Sequence, residues 1–168
     1  MIDPQPKRHS PLIWLVFLVI VIDLVGFGLV IPLLPFMAPV LGGDSSDIAF
    51  IMITYAIGAA LIAPLWGRFS DRAGRRQALV LALVCSCAAY VVTALADTLW
   101  QVYLGRALSG LAAGSLPVAT ALMADLSPPE RRAKAMGLVG TAFGLGLIAG
   151  PVLGGLLTGD SQSFALPF

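Results

Sequence analysis

The sequence predicts an all-α integral membrane fold with five transmembrane helices, and three observations carry that prediction. Hydrophobic residues make up 58% of the chain and charged residues 11%, against about 45–50% and 25% in soluble domains. Five apolar stretches, at residues 12–36, 49–66, 78–96, 99–124 and 136–157, run from 18 to 26 residues each, and about 20 residues cross a hydrocarbon core of about 30 Å as a helix. Nine of the ten lysines and arginines fall in alternate connections. A bilayer offers no partner to an unpaired backbone group, so spanning segments are helices or a closed barrel, and runs of this length exclude the barrel.

The first stretch follows Lys7, Arg8 and His9 as a signal peptide would. It is longer than the roughly 7–15 apolar residues of a cleaved signal and carries Pro32 and Pro35 near its end, so an uncleaved first helix is expected after a tail of residues 1–11. The next connection holds Asp44 and Asp47, and Ser46 and Asp47 are candidate caps for the second helix. The second connection holds Arg68, Arg72, Arg75 and Arg76, the third Asp97, and the fourth Arg131, Arg132 and Lys134. By the positive-inside rule the N-terminus is cytoplasmic. Ser127-Pro128-Pro129-Glu130 has the pattern of a capping box that starts the fifth helix at Pro128. Pro151, after Gly150, predicts a bend in that helix. Cys85 and Cys87 would face different ways on a helix, which predicts reduced thiols rather than a disulfide or a metal site.

Two ionisable residues interrupt the apolar runs. Asp23 and Arg106 each cost about 2.5–3.5 kcal/mol to insert at a helix centre, and such residues face a cavity or a partner. At about 1.5 Å per residue, Arg106 lies about 10 Å from the outer end of its helix and Asp23 about 13 Å from the outer end of its own. A shared polar site is therefore expected, against the simpler alternative that backbone carbonyls and hydroxyls hold each separately. The small-residue pairs Gly110/Gly114, Gly140/Gly144, Gly146/Gly150 and Gly150/Gly154 have the spacing of close helix packing, a weak signal taken alone.

Four segments together resemble the major facilitator superfamily, and within it the drug/proton antiporters, tetracycline exporters above all. Gly67-Arg68-Phe69-Ser70-Asp71-Arg72-Ala73-Gly74-Arg75-Arg76 is similar to the superfamily's cytoplasmic loop signature. The run Gly146-Leu147-Ile148-Ala149-Gly150-Pro151-Val152-Leu153-Gly154-Gly155 is similar to the fifth-helix signature of antiporters, which implies export. Asp23 to Gly28, leading to Pro32 and Pro35, resembles the first helix of drug exporters. Tyr103 to Gly110 resembles the fourth-helix signature whose Arg is associated with proton coupling, with Ser109 where many members have Gln.

The resemblance implies an incomplete six-helix half of a major facilitator fold: residues 12–158 as helices one to five, and 159–168 as an outer loop and the start of a sixth helix. It implies a proton-coupled exporter of a small amphipathic drug, multi-pass in the inner membrane, with Asp23 and Arg106 in coupling and a missing C-terminal half as partner. Asp71 with Arg72, Arg75 and Arg76 meets the inner end of the fourth helix at Asp125, so an Arg to Asp125 latch is expected, against a role for these arginines as positive-inside anchors alone. The contrasting hypothesis is a small helical membrane protein that self-associates through its glycine faces without transport. A membrane enzyme would need convergent acid/base, nucleophilic or metal groups. His9 is the sole histidine and the acids are scattered singly, so neither catalysis, a cofactor, a metal nor nucleic acid binding is expected.

Overall fold

The computed structural model describes residues 11–158, leaving Lys7, Arg8, His9 and the expected 159–168 loop outside the described residues. The order is α1 (Pro11–Val40), α2 (Ser45–Ala73), α3 (Arg75–Ala94), α4 (Leu99–Leu111), α5 (Ser115–Asp125), a 3₁₀ turn (Pro129–Arg131) and α6 (Arg132–Thr158). Together α4 and α5 form the fourth of five helical segments long and apolar enough to cross a membrane.

Each end has a local cause. Helix α1 closes in a Schellman motif, in which Gly43 N donates to Ala38 O and Gly42 N to Pro39 O, with Gly42 at φ +82° where only glycine is unstrained. Asp44, rather than Ser46 or Asp47, is the N-cap of α2. Its carboxylate accepts from the backbone N–H of Ser46 and Asp47, while Asp47 closes the box by accepting from Asp44 N. Those three charge-assisted contacts favour Asp44 because the hydroxyl of Ser46 lies inside the helix already.

Two other expectations are corrected. The arginine-rich signature is helix rather than loop through Ala73, because polar residues at the water interface extend α2 beyond its apolar run. The connection is Gly74 alone, at φ +97°, with its N–H donating to Ser70 O. Ser127 does not cap the last helix either, since its hydroxyl donates back to Met123 O at 2.8 Å and closes the end of α5. The turn at Pro129–Arg131 starts without a side-chain cap.

The proline expected to disturb the fifth span sits within a continuous α6, as Pro32, Pro35 and Pro39 do in α1 and Pro64 in α2. The interruption falls in the fourth span, at Ala112, Ala113 and Gly114. Pro117 has no N–H to offer Ala113 O and its ring crowds that carbonyl, and here, unlike at the other prolines, a neighbouring indole lies against the gap, with Trp66 packed on Gly114 and donating to Leu111 O.

Glycines decide two of the interfaces. A Cβ on Gly150 would meet the Gly28 backbone at 2.7 Å, and one on Gly146 would collide with Leu24, so α1 and α6 touch backbone to backbone. Gly154 meets Leu29 in the same groove, whereas Gly140, Gly144 and Gly155 have open space beside them. Gly110 lies against the Tyr55 carbonyl and beside Gly58, which seats α4 on α2. Leu18, Ile22, Leu61, Leu65, Ile148 and Leu156 point outward, as a lipid-facing surface requires.

Candidate functional site

A cavity of about 290 Å³ lies among α1, α2, α3, α4, α5 and α6, lined by Asp23, Tyr55, Tyr90, Arg106, Ser109, Ser115 and Phe143 among others. Asp23 and Arg106, picked from sequence because they interrupt apolar runs, line it together. They are not joined directly, for no ion pair involves Arg106 among the described residues. Asp23 Oδ2 accepts from Ser115 Oγ at 2.5 Å.

Arg106 is held mainly by rings. It is fully buried, with its guanidinium carbon 5.0 Å from the Tyr55 ring centre and 5.9 Å from that of Phe27, and the two rings stand 5.2 Å apart. Phe27 follows Asp23 by four positions and so shares its face of α1. A desolvated cation over aromatic faces gains about 2 kcal/mol, less than the cost of burying it. Nη2 lies 3.8 Å from Met52 Sδ, a weak acceptor, and Nε and Nη1 have no hydrogen-bond partner, nor does Ser109 Oγ. A positive charge is thus kept beside the cavity without a neutralising anion in contact, and its field acts on whatever occupies the cavity.

The second candidate region is the end that carries Gly74. Arg75 Nη1 donates to Asp71 Oδ1 at 2.8 Å and to Ser70 Oγ at 3.0 Å, and Nε donates to Asp125 Oδ2 at 3.0 Å. The expected Arg to Asp125 contact is therefore present, and it ties the junction of α2 and α3 to the end of α5. Arg72 and Arg76 make no ion pair among the described residues. The antiporter-like run does not reach the cavity: Gly146, Gly150, Pro151 and Gly154 pack on α1 instead.

Sequence reasoning missed Ser115, Tyr55, Phe27 and Trp66. Trp66 Nε1 donates to Leu111 O at 2.9 Å, a carbonyl exposed by the break in the fourth span. Pro117 three residues past Gly114 was the available signal for that break.

The family model described as Major Facilitator Superfamily matches residues 16–168. The chain is 40% identical over 143 residues to the class B tetracycline resistance protein of Escherichia coli, covering 80% of this chain and 34% of that protein. It is 35% identical over 157 residues to the class H tetracycline resistance protein of Pasteurella multocida, covering 92% and 39%. Among solved structures, the human organic anion transporter MFSD10 superposes with a TM-score of 0.76 at 30% identity, over 96% of this chain and 45% of that one. The chain therefore spans less than half the length of these relatives.

Proposed function

The chain belongs to the Major Facilitator Superfamily, and from that premise we propose that it is the N-terminal part of a proton-coupled antiporter exporting drugs, tetracycline-like or multidrug, across the inner membrane. Its N-terminus is cytoplasmic in this reading. The junction of α2 and α3 and the basic residues after α5 share the inner side, while Asp44 and Asp97 share the outer side. The family consists of transporters built from two halves, with substrate bound between them near the midplane. A C-terminal half would complete the wall of the cavity.

The observation that carries the reading is the placement of Asp23 and Arg106 on one membrane-embedded cavity with the carboxylate held by Ser115 and the guanidinium buried behind aromatic rings. Asp23 is the carboxylate on that cavity, and whether it holds a proton depends on the balance between its contact with water and its polar neighbours. Closing the cavity or filling it with drug changes that balance, which is what exchange of a proton for a drug requires. Arg106 keeps its charge throughout, as a guanidinium does. Arg106 is fully buried, so in this reading the drug meets Asp23, Tyr55 and Phe143 first.

In the full-length transporter, Asp23→Asn abolishes proton-driven export while membrane insertion persists, since removing a charge eases insertion. Arg106→Ala stops export as well, and the double variant is no worse than either single one if the two act as a unit. Robust proton-driven export by Asp23→Asn refutes the coupling role. Self-association without transport is favoured by the open space beside Gly137, Gly140, Gly144 and Gly155 on α6.

A further inference from the structure

Ser115 is the first residue of α5, is almost fully buried, and donates to Asp23 from the far side of the break in the fourth span. In an unbroken helix nine residues turn through about 900°, so Ser115 would face about 180° away from Arg106. Both nonetheless line one cavity. The break is what brings them to the same side.

Three residues build that break. Pro117 withholds its N–H from Ala113 O and so interrupts the ladder. Leu111 O, left without its helical donor, accepts instead from Trp66 Nε1 at 2.9 Å, which binds α2 across the gap. The Trp66 ring occupies the space where any side chain at Gly114 would stand, so only glycine fits there. An open carbonyl in apolar surroundings costs about 1–3 kcal/mol, and the indole removes that cost.

We propose that Ser115 is a positioning residue for the Asp23 carboxylate, aimed at it by the break at residues 112–114, which Trp66 seals. The hydroxyl fixes where the carboxylate stands and what it is hydrogen-bonded to, and so bears on its exchange of a proton. The other charged or titratable groups facing the cavity are Tyr55 from α2, Tyr90 from α3 and Arg106 from α4, while α6 contributes Phe143. None of these belongs to the segment that the break re-aims, whereas Ser115 does. A change in the break therefore reaches the proton site without moving Arg106. This deepens the reading above, on which its functional meaning rests.

The test measures the carboxylic acid itself rather than transport. The full-length transporter is placed in lipid vesicles, and one protonated carboxyl C=O infrared band is assigned to Asp23 by its loss in Asp23→Asn. In Ser115→Ala the band moves to higher wavenumber, because the carboxyl loses a hydrogen bond, and its response to pH changes with it. Ser115→Thr keeps a hydroxyl and restores the wild-type band. Trp66→Phe keeps a ring but loses the donor to Leu111 O, and shifts the band in the same direction by less. A band unchanged by Ser115→Ala, in position and in response to pH, overturns the proposal. If export persists in Asp23→Asn while Ser115→Ala still moves the band, the coupling role falls and the positioning role stands.

Discussion

Two arginines at opposite ends of the same bundle are handled in opposite ways. Arg75 stands partly exposed at the end of α2 and α3 and makes three polar contacts, to Asp71, Ser70 and Asp125. Arg106 is fully buried, and two of its nitrogens have no hydrogen-bond partner. Stability alone would place the partners the other way round, since exposed pairs contribute about 0–1 kcal/mol and an unpaired buried charge costs several. On the function proposed above, Arg75 trims an equilibrium between arrangements of helix ends, whereas Arg106 is retained at a cost to folding for the charge it keeps beside the cavity.

The largest expected effect tests the buried member. Arg106→Lys keeps the charge but loses the flat face that lies over Tyr55 and Phe27, and Lys is not equivalent at a stacked site. Export by the full-length transporter falls about ten-fold or more, corresponding to about 1.4 kcal/mol, and the loss is insensitive to salt because the site is shielded from counterions. Wild-type export by this variant would show that the rings are not what holds the cation, and the contrast with Arg75 would reduce to charge alone.

A smaller effect is expected at the exposed member. Arg75→Lys and Asp125→Asn change export about two- to five-fold, as loss of one exposed pair worth up to about 1 kcal/mol allows, and the change shrinks as salt is raised. Unchanged export by both would leave the arginines of this end as positive-inside anchors only. A loss as deep as that of Arg106→Lys would erase the distinction between trimming and sustaining.

The smallest effect lies at the outer end, outside the membrane-spanning helices. The backbone N–H groups of Asp47 and Ser46 hold the Asp44 carboxyl below its ordinary range. A carboxyl whose folded value is depressed stabilises the helix start above the unfolded value of about 3.9, and that contribution is lost as pH falls through the folded value. The protection of the Ser46 and Asp47 amides, taken relative to their intrinsic exchange at each pH, therefore falls on acidification toward and below that range, and Asp44→Ala shows the lower protection at neutral pH. Protection that stays flat with pH would remove the capping role.

Much of the bundle was legible in the chain because the bilayer restricts the choices. Five apolar runs of spanning length and an uneven split of basic residues specify helices and their alternation with little help from packing. Asp23 and Arg106 were legible for the same reason, since a charge in an apolar run must face a cavity or a polar partner; which of the two was not legible, and Asp23 has both, a place on the cavity and the Ser115 hydroxyl. Glycine spacing was ambiguous: Gly146, Gly150 and Gly154 pack on α1, while Gly140 and Gly144, spaced alike, have open space beside them. Caps were half legible, for Asp44 took the position expected of Ser46 or Asp47, and Ser127 turned back to Met123 rather than forward.

The sequence by itself determined that the chain spans a membrane five times, which residues carry buried charge, and which family signatures it bears. Those features are set locally, by hydrophobic length and by the cost of a charge in hydrocarbon. Only the tertiary structure decided what each charge meets. Ser115 is an unremarked serine in an apolar run until Pro117 breaks the fourth span, Trp66 fills the gap at Gly114, and the turn this produces carries the hydroxyl to Asp23. That outcome depends on hydrogen bonds from α2 to α4 and from α5 to α1, between residues 45 and 92 positions apart, and no periodicity within a single helix encodes them.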